Sequence, residues 1–547
     1  MKKNLLLLCL FISHFLTAQT PTWNWARSAQ CATLYEHIAH DPSGNLVLAG
    51  GFTSPTMDFG GTTITGAGGY DIFVAKYDGS GNFMWAKAFG NYLEELAQDV
   101  VADASGNIYV TGYFFSDSLA FGSFMLHKSP ASGLTNGFIL KLDGSGNVVW
   151  VKAISNFDLM TNGIATDGVN VYITGSFDGG SAIYDTVNIP PAGPDYNIFL
   201  LKVDPSGAGL WGRSSGSSNG HEANGVCTDV AGNVLITGRY KNSSTFGAYT
   251  VSTSDTYAHI YLAKYNSSGT ALWAKEYGSA GNNWSRAIKC DGSANVYFTG
   301  GFGGSSIAFD SYNLTNVSPP SDDIILAKMD PSGNTLWATS AGGNDYDLGI
   351  GLTVDSADNP YICGAFTSNP VAFGGTGLFN HGGSSGSEDG FLAKYESDGT
   401  LSWVQSVGGG NPDWCEDVTS TGTNAIFTTG HFTSAFITFG STTFYNSSGS
   451  GNLFVAKISE SMASVPANDE KNGFVISPNP ASDVFSIAMS DPGPKTVKIT
   501  DNLGRCILKK QTSLNKEEIQ LEGESRGIYF IECSSGDHAS RKKLILR

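Results

Sequence analysis

Basic residues are scarce in this chain. It carries 31 lysines and arginines against 49 aspartates and glutamates, a formal net charge of −18. A surface of that sign disfavours nucleic acid and anionic lipid as partners and leaves cations and neutral polar ligands acceptable. Cysteine is also sparse. Cys9 lies near the start, and Cys31, Cys227, Cys290, Cys363, Cys415, Cys506 and Cys533 follow at irregular intervals. The seven after Cys9, an odd number without CxxC spacing, argue against a disulfide framework and a structural zinc site. The cysteines read as small buried apolar residues. Cys506 and Cys533, on predicted strands of one small domain, form the expected pair if any does. Beyond the first twenty residues no apolar run reaches the ~20 residues that span a bilayer. HExxH, P-loop and EF-hand patterns are absent too, so no catalytic centre is expected from these motifs. "DGSGN" lacks the alternating acidic ligands and terminal glutamate of a calcium loop.

The first residues, "MKKNLLLLCLFISHFLTAQT", have the order of a secretory signal. Lys2 and Lys3 form the positive end, Leu5 to Leu16 the apolar run and Thr17-Ala18 a small-residue cleavage site. Residues 1–18 are therefore expected to be removed, leaving an exported protein without a transmembrane segment.

Glycine, by contrast, is abundant at 69 residues, and much of it recurs in phase. "DPSGNLVLAGGF" begins at Asp41 and "DASGNIYVTGYF" at Asp103. Related stretches begin at Thr166, Asp229, Asp291, Asp355 and, more loosely, Gly422. Tryptophans recur at Trp25, Trp85, Trp150, Trp211, Trp273, Trp337 and Trp403, spaced by 60 to 66 residues. An alternating segment with a lysine recurs as "FVAKYD" at Phe73, "FILKLD" at Phe138 and on to "FVAKIS" at Phe454. Each unit thus reads as four strands, A to D. The Asp-x-x-Gly turn joins A to B, with Asp bonding its own backbone and Gly taking a positive φ. Seven such units imply an all-β, seven-bladed β-propeller over residues 22–459, because a lone four-stranded sheet cannot bury both faces. Five residues before each A–B turn the strand enters the ring; two residues further lies an aliphatic position, Ile38, Val100, Ile164, Val226, Ile288, Leu352 and Val418. Trp25 has a D-strand sequence without a C strand before it, and "FVAKIS" is a C strand without a D strand after it. Pairing the two ends would close the ring.

These units resemble the SBBP repeat family, with its "D-x-x-G-N-x-Y-x-T-G" core and "F-x-x-K" strand. The resemblance implies a propeller and says little of activity, since propellers host many functions. After a polar linker, 460–472, residues 473–547 read as a small Ig-like β-sandwich. Pro478-Asn479-Pro480-Ala481, the Asp501-to-Gly504 turn, Gly527-Ile528-Tyr529 and Lys542-Lys543-Leu544 resemble the C-terminal sorting domain of the type IX secretion system. That resemblance implies the type IX machinery as partner, a Bacteroidota-type exporter, and a secreted or outer-surface location.

One constellation is a candidate site. The seventh, first and second units are neighbours in a closed ring, and their A-strand entries carry Glu416-Asp417, Glu36-His37 and Gln98-Asp99. Glu36, His37, Asp99, Glu416 and Asp417 would converge at the channel mouth, with Arg286 across it. Carboxylates and imidazole suit a divalent cation such as calcium, or a polar ligand. The expected function is non-enzymatic binding, adhesion or scaffolding towards a glycan or protein surface. The alternative is an extracellular polysaccharide hydrolase or lyase working at the same mouth.

Overall fold

The computed structural model describes residues 21–128, 135–155, 158–216, 220–382, 387–447 and 449–460. In the tail it describes 474–477, 479, 481, 484–489, 494–501, 505–521, 526–535 and 538–546. The expected leader, most of the linker, Pro478, Pro480 and residues 502–504 of the tail turn lie outside the described residues. The chain divides into two compact units, one of them Ala18–Glu460 and the other containing Ser461–Arg547.

Among the described residues, the larger unit holds seven antiparallel sheets with the A-B-C-D strand order, one of them extended by a further strand pair. The second is typical: Glu95–Ala102, Ile108–Phe114, Asn136–Leu142 and Val148–Ile154. Successive A strands pack side by side, and the last, Asp413–Ser420, packs against the first, Thr33–His40, so the ring is closed. The architecture is a β-propeller. Its seam is the expected one. Pro21–Ala29 pairs with Asn452–Glu460 and supplies the D strand of the last sheet, with Trp25 opposite Lys457. The aliphatic position of every A strand is buried, from Leu352 at 0% exposure to Val226 at 5%.

The repeated turn is built as its sequence requires. Asp103 Oδ1 accepts the Ser105 and Asn107 amides, both at 2.9 Å, and Oδ2 accepts the Asn107 side chain at 2.8 Å. Gly106 has φ +78°. The tryptophan and lysine landmarks prove to be one device. In all seven sheets the D-strand Trp lies directly opposite the C-strand Lys. In sheet one, Lys76 and Trp85 both donate to the Gly144 carbonyl in the C–D turn of sheet two, at 3.0 and 3.3 Å. Lys76 also pairs with Asp41 of its own A–B turn at 2.9 Å. A Cβ built on Gly146 would sit 2.9 Å from the Trp85 ring, so that turn lies flat on the indole. The latch repeats from blade to blade, with Lys264 and Trp273 meeting at Pro331 O. The last sheet has no C–D turn, and there Glu460 substitutes, accepting from Lys394 at 2.5 Å and Trp403 at 2.8 Å.

The B–C segments, outside the four expected strands of each unit, are two-stranded hairpins. Examples are Ser118–Phe121 with Phe124–His127 and Ser306–Phe309 with Tyr312–Thr315. Each packs beside a D strand and covers the outer sheet edge, which would otherwise present unpaired backbone. Their signature is an aromatic residue followed by Gly or Asp at positive φ: Phe59-Gly60, Phe121-Gly122, Tyr184-Asp185, Phe246-Gly247, Phe309-Asp310, Phe373-Gly374 and Phe439-Gly440.

The tail forms two sheets, one of Phe474–Ser477, Val484–Met489 and Lys516–Gln520 and a second of four strands, with Phe485, Ile487, Val497, Ile499, Ile531 and Leu544 buried between them. It is a β-sandwich. The Cys506–Cys533 pair is not formed. Cys506 lies opposite Thr500 and Cys533 opposite Val497, on strands flanking Lys495–Asp501 from either side. Two interstrand spacings, about 10 Å, separate them. Cys506 is exposed while Cys533 is buried.

Candidate functional site

Each A strand carries a β-bulge where it enters the ring. The register skips between Ala97 and Asp99, between Cys415 and Asp417 and at the equivalent place in the other sheets. In the first sheet the skip is longer, between Leu34 and His37, and takes in both Tyr35 and Glu36. A bulge re-aims side chains. Here it separates the five expected site residues into two groups.

The first group lies on the channel lip. His37 Nδ1 is 3.9 Å from Asp99 Oδ1 and 3.8 Å from Asp417 Oδ2. Both aspartates already serve the ring. Asp99 accepts the Val100 amide and, from the next sheet, the Ile164 amide, each at 2.8 Å. Asp417 accepts the Val418 amide at 2.8 Å and the Ile38 amide at 3.0 Å. Burial raises the Asp417 pKa, against the pull of His37 and Lys289.

The second group is deeper and includes a residue absent from the sequence-based set. His431, on the B strand of the last sheet, places Nδ1 3.1 Å from Glu36 Oε2 and 3.8 Å from Glu416 Oε1. Glu36 is fully buried, and among the described residues its Oε1 has no hydrogen-bond partner within bonding geometry. Burial disfavours the Glu36 charge, but His431 outweighs it and the net shift is downward. Burial likewise opposes protonation of His431. Glu36 and Glu416 prevail, and its pKa rises to about 9. Burial and the Glu36 charge push Glu416 up to about 7. The group therefore carries one imidazolium between one firmly ionised carboxylate and one that titrates near neutrality. One ligand atom from each residue lies within 4.8 Å of the others, close enough for the three to hold one metal ion in place of the proton. Arg286 does not join them; its guanidinium lies over the Trp284 ring, 5.1 Å from the centroid. His431 sits in "TTGHF", where other units have Tyr, Arg, Ser, Gly or Ala before the final aromatic residue. That departure was the available signal.

His37, Asp99 and Asp417, with Glu416 and His431 of the second group, line a funnel of about 710 Å³ whose wall also includes Tyr35, Tyr113, Tyr196, Arg286 and Trp414. Tyr35 has φ 57°, an uncommon conformation for a residue with a side chain, and is 40% exposed. Trp414 stacks on His431 with an interplanar angle of 16°, and its Nε1 donates to Glu388 at 2.6 Å. The opposite mouth, about 590 Å³, is lined by A–B turns, with Cys290 among them.

The fold and tail define an exported protein of the β-propeller class. Residues 475–547 match the secretion system C-terminal sorting domain. This marks the protein as secreted, and it implies an interaction with the type IX secretion machinery. Over 449 residues the chain is 25% identical to an uncharacterized WD repeat-containing protein, L264, of Acanthamoeba polyphaga mimivirus. That match covers 65% of this chain and 31% of the relative, so the chain spans less than a third of the relative's length. Among solved structures it is similar to PorZ, a bacterial surface component of the type-IX secretion system of Porphyromonas gingivalis. The identity is 11%, the coverage 93% of this chain and 81% of that one, and the TM-score 0.25. Among the described residues no helix is long and apolar enough to cross a membrane.

Proposed function

We propose that this is a non-enzymatic binding protein of the outer cell surface or surroundings, an SBBP-type propeller that takes a glycan-like polar ligand in the funnel. The observation that carries this reading is Tyr35. A strained two-residue bulge holds Tyr35 exposed on a funnel wall that it shares with Trp414, Tyr196 and the His37–Asp99–Asp417 lip. Strain of this kind is kept where function uses it. Aromatic faces with a few convergent polar groups suit sugars, which present apolar C–H faces and hydroxyl edges. A divalent cation belongs to the same reading, seated on Glu36, Glu416 and His431. The imidazole nitrogen favours zinc-like ions over calcium, which prefers all-oxygen shells.

The test is a glycan array with the mature protein, followed by calorimetry on each hit. Tyr35→Ala and Trp414→Ala should each weaken binding about tenfold, ~1.4 kcal/mol. An array without hits, or hits indifferent to both substitutions, overturns the reading. One observation favours a hydrolase or lyase as a second reading. Glu36 and Glu416 lie side by side with pKa values displaced in opposite directions, as an acid–base pair would. Release of reducing ends or unsaturated sugars from a bound polysaccharide, abolished by Glu416→Gln, would replace the binding reading with this one.

A further inference from the structure

Around the channel, neighbouring A strands bring two positions together just before their A–B turns. At the seam, His40 Nδ1 lies 3.0 Å from Thr419 Oγ1. Between the sixth and seventh sheets, Thr353 Oγ1 lies 3.5 Å from Ser420 Oγ. Both are hydrogen-bonded pairs spanning two sheets. Between the fourth and fifth sheets the same place holds Cys227 and Cys290, with Sγ atoms 3.1 Å apart. A thiol is a weak donor and a weak acceptor, so this pair gains little as a hydrogen bond. A covalent link is what two thiols in that position can form and a Thr–Ser pair cannot.

We propose that Cys227 and Cys290 form a disulfide that staples the fourth and fifth sheets in the exported protein. An S–S bond is about 2.05 Å long, so the sulfurs need to approach by about 1 Å, within reach of rotamer adjustment. The reaction is thiol–disulfide exchange with an external disulfide R–S–S–R, whether a small molecule or an oxidoreductase. Cys290 lines the A–B-turn mouth, while Cys227 is 5% exposed and faces it from the neighbouring strand. The Cys290 thiol loses its proton and its sulfur attacks R–S–S–R, releasing R–S⁻, which takes up a proton. The Cys227 thiol then attacks the mixed disulfide, and the second R–S⁻ leaves and is protonated. Two protein thiols are oxidised and one external disulfide is reduced to two thiols. Export past the reducing cytoplasm brings the protein to where such disulfides persist.

The experiment uses mature protein collected without reductant, alkylated in denaturant, digested and mapped by mass spectrometry, before and after incubation with oxidised glutathione. A peptide pair joining Cys227 to Cys290, 2 Da lighter than its reduced form, is expected in one or both samples. Reduction should lower the Tm by about 4 °C. Cys227→Ser and Cys290→Ser should each abolish the linked peptide and that reductant response, leaving the partner cysteine alkylated. Two alkylated thiols at these positions after oxidised glutathione, or linkage of either to another cysteine, overturns the proposal.

Discussion

At the scale of the residue, the repeated stretch mixes two kinds of glycine that look alike in the sequence. Gly106 needs its positive φ and nothing lies within 4 Å of where a Cβ would stand. Gly146 has the same φ range, +82°, and in addition faces the Trp85 ring. Gly106→Ala should therefore cost about 1 kcal/mol, the left-handed penalty alone. Gly146→Ala should cost clearly more, because it also lifts the turn off the indole and stretches the Lys76 and Trp85 bonds to Gly144. Asp103→Ala removes the acceptor for two buried-side amides, the Asn107 side chain and the Tyr109 hydroxyl, and should cost about 1–3 kcal/mol. Chemical denaturation of the three variants ranks them; equal costs for the two glycine variants would remove the tryptophan latch from the account.

At the scale of the element, the seam is where the ring depends on chain ends. Pro21–Ala29 is the only D strand not joined to its C strand by a turn, among the described residues. Deleting Gln19–Ala32 should lower the Tm by far more than trimming a frayed terminus, because it bares the Asn452–Glu460 edge and unseats Trp23 and Trp25 from Phe439 and Phe427. An unchanged melting curve would sink this. The tail is a separate element with a separate task. Deleting Gly473–Arg547 should leave the propeller's melting transition intact and retain the protein in the cell envelope. Export that continues without the tail would contradict its sorting role.

At the scale of the whole molecule, carboxyl groups meet across the sheet interfaces. Asp323 starts a C strand and Asp347 the next A strand; Asp389 and Asp413 repeat the arrangement one interface further on. Burial, reinforced by neighbouring carboxylates, pushes Asp347 up to about 7 and Asp323 and Asp413 up to about 6. Their folded pKa values exceed those of the unfolded chain, near 4. They favour the fold while protonated; that contribution is full below about pH 4 and fades as pH rises from there through about 7. His431 acts in the same sense, because its charged form is stabilised in the fold and is lost as pH rises through about 9. Asp41 and Asp229, paired with Lys76 and Lys264, have lowered pKa values and set the opposite limit, losing their contribution below about pH 4. The Tm should peak near pH 4 and decline towards pH 9. Asp347→Asn should flatten the decline between about 4 and 7, and a Tm that rises across that interval would contradict the assignment.

Local chemistry decided everything that one unit can express by itself. The Asp-x-x-Gly turn, the alternating strands and the phase of Trp and Lys dictated the sheets and their number, because hydrogen bonds within a turn and side-chain alternation act over a few residues. The B–C hairpins were equally local, and their aromatic-Gly/Asp mark stood in every unit. What only the tertiary structure decided lies between units. The bulges turned Glu36 and Glu416 inward to His431 and left His37 between Asp99 and Asp417. Ring closure set Glu460 under Trp403, and strand order parted Cys506 from Cys533 while bringing Cys227 beside Cys290. These depend on residues about 60 or more positions apart, on a one-residue slip that reverses a side chain's direction, or, for Cys506 and Cys533, on which strand lies between them, and none of these leaves a period in the sequence.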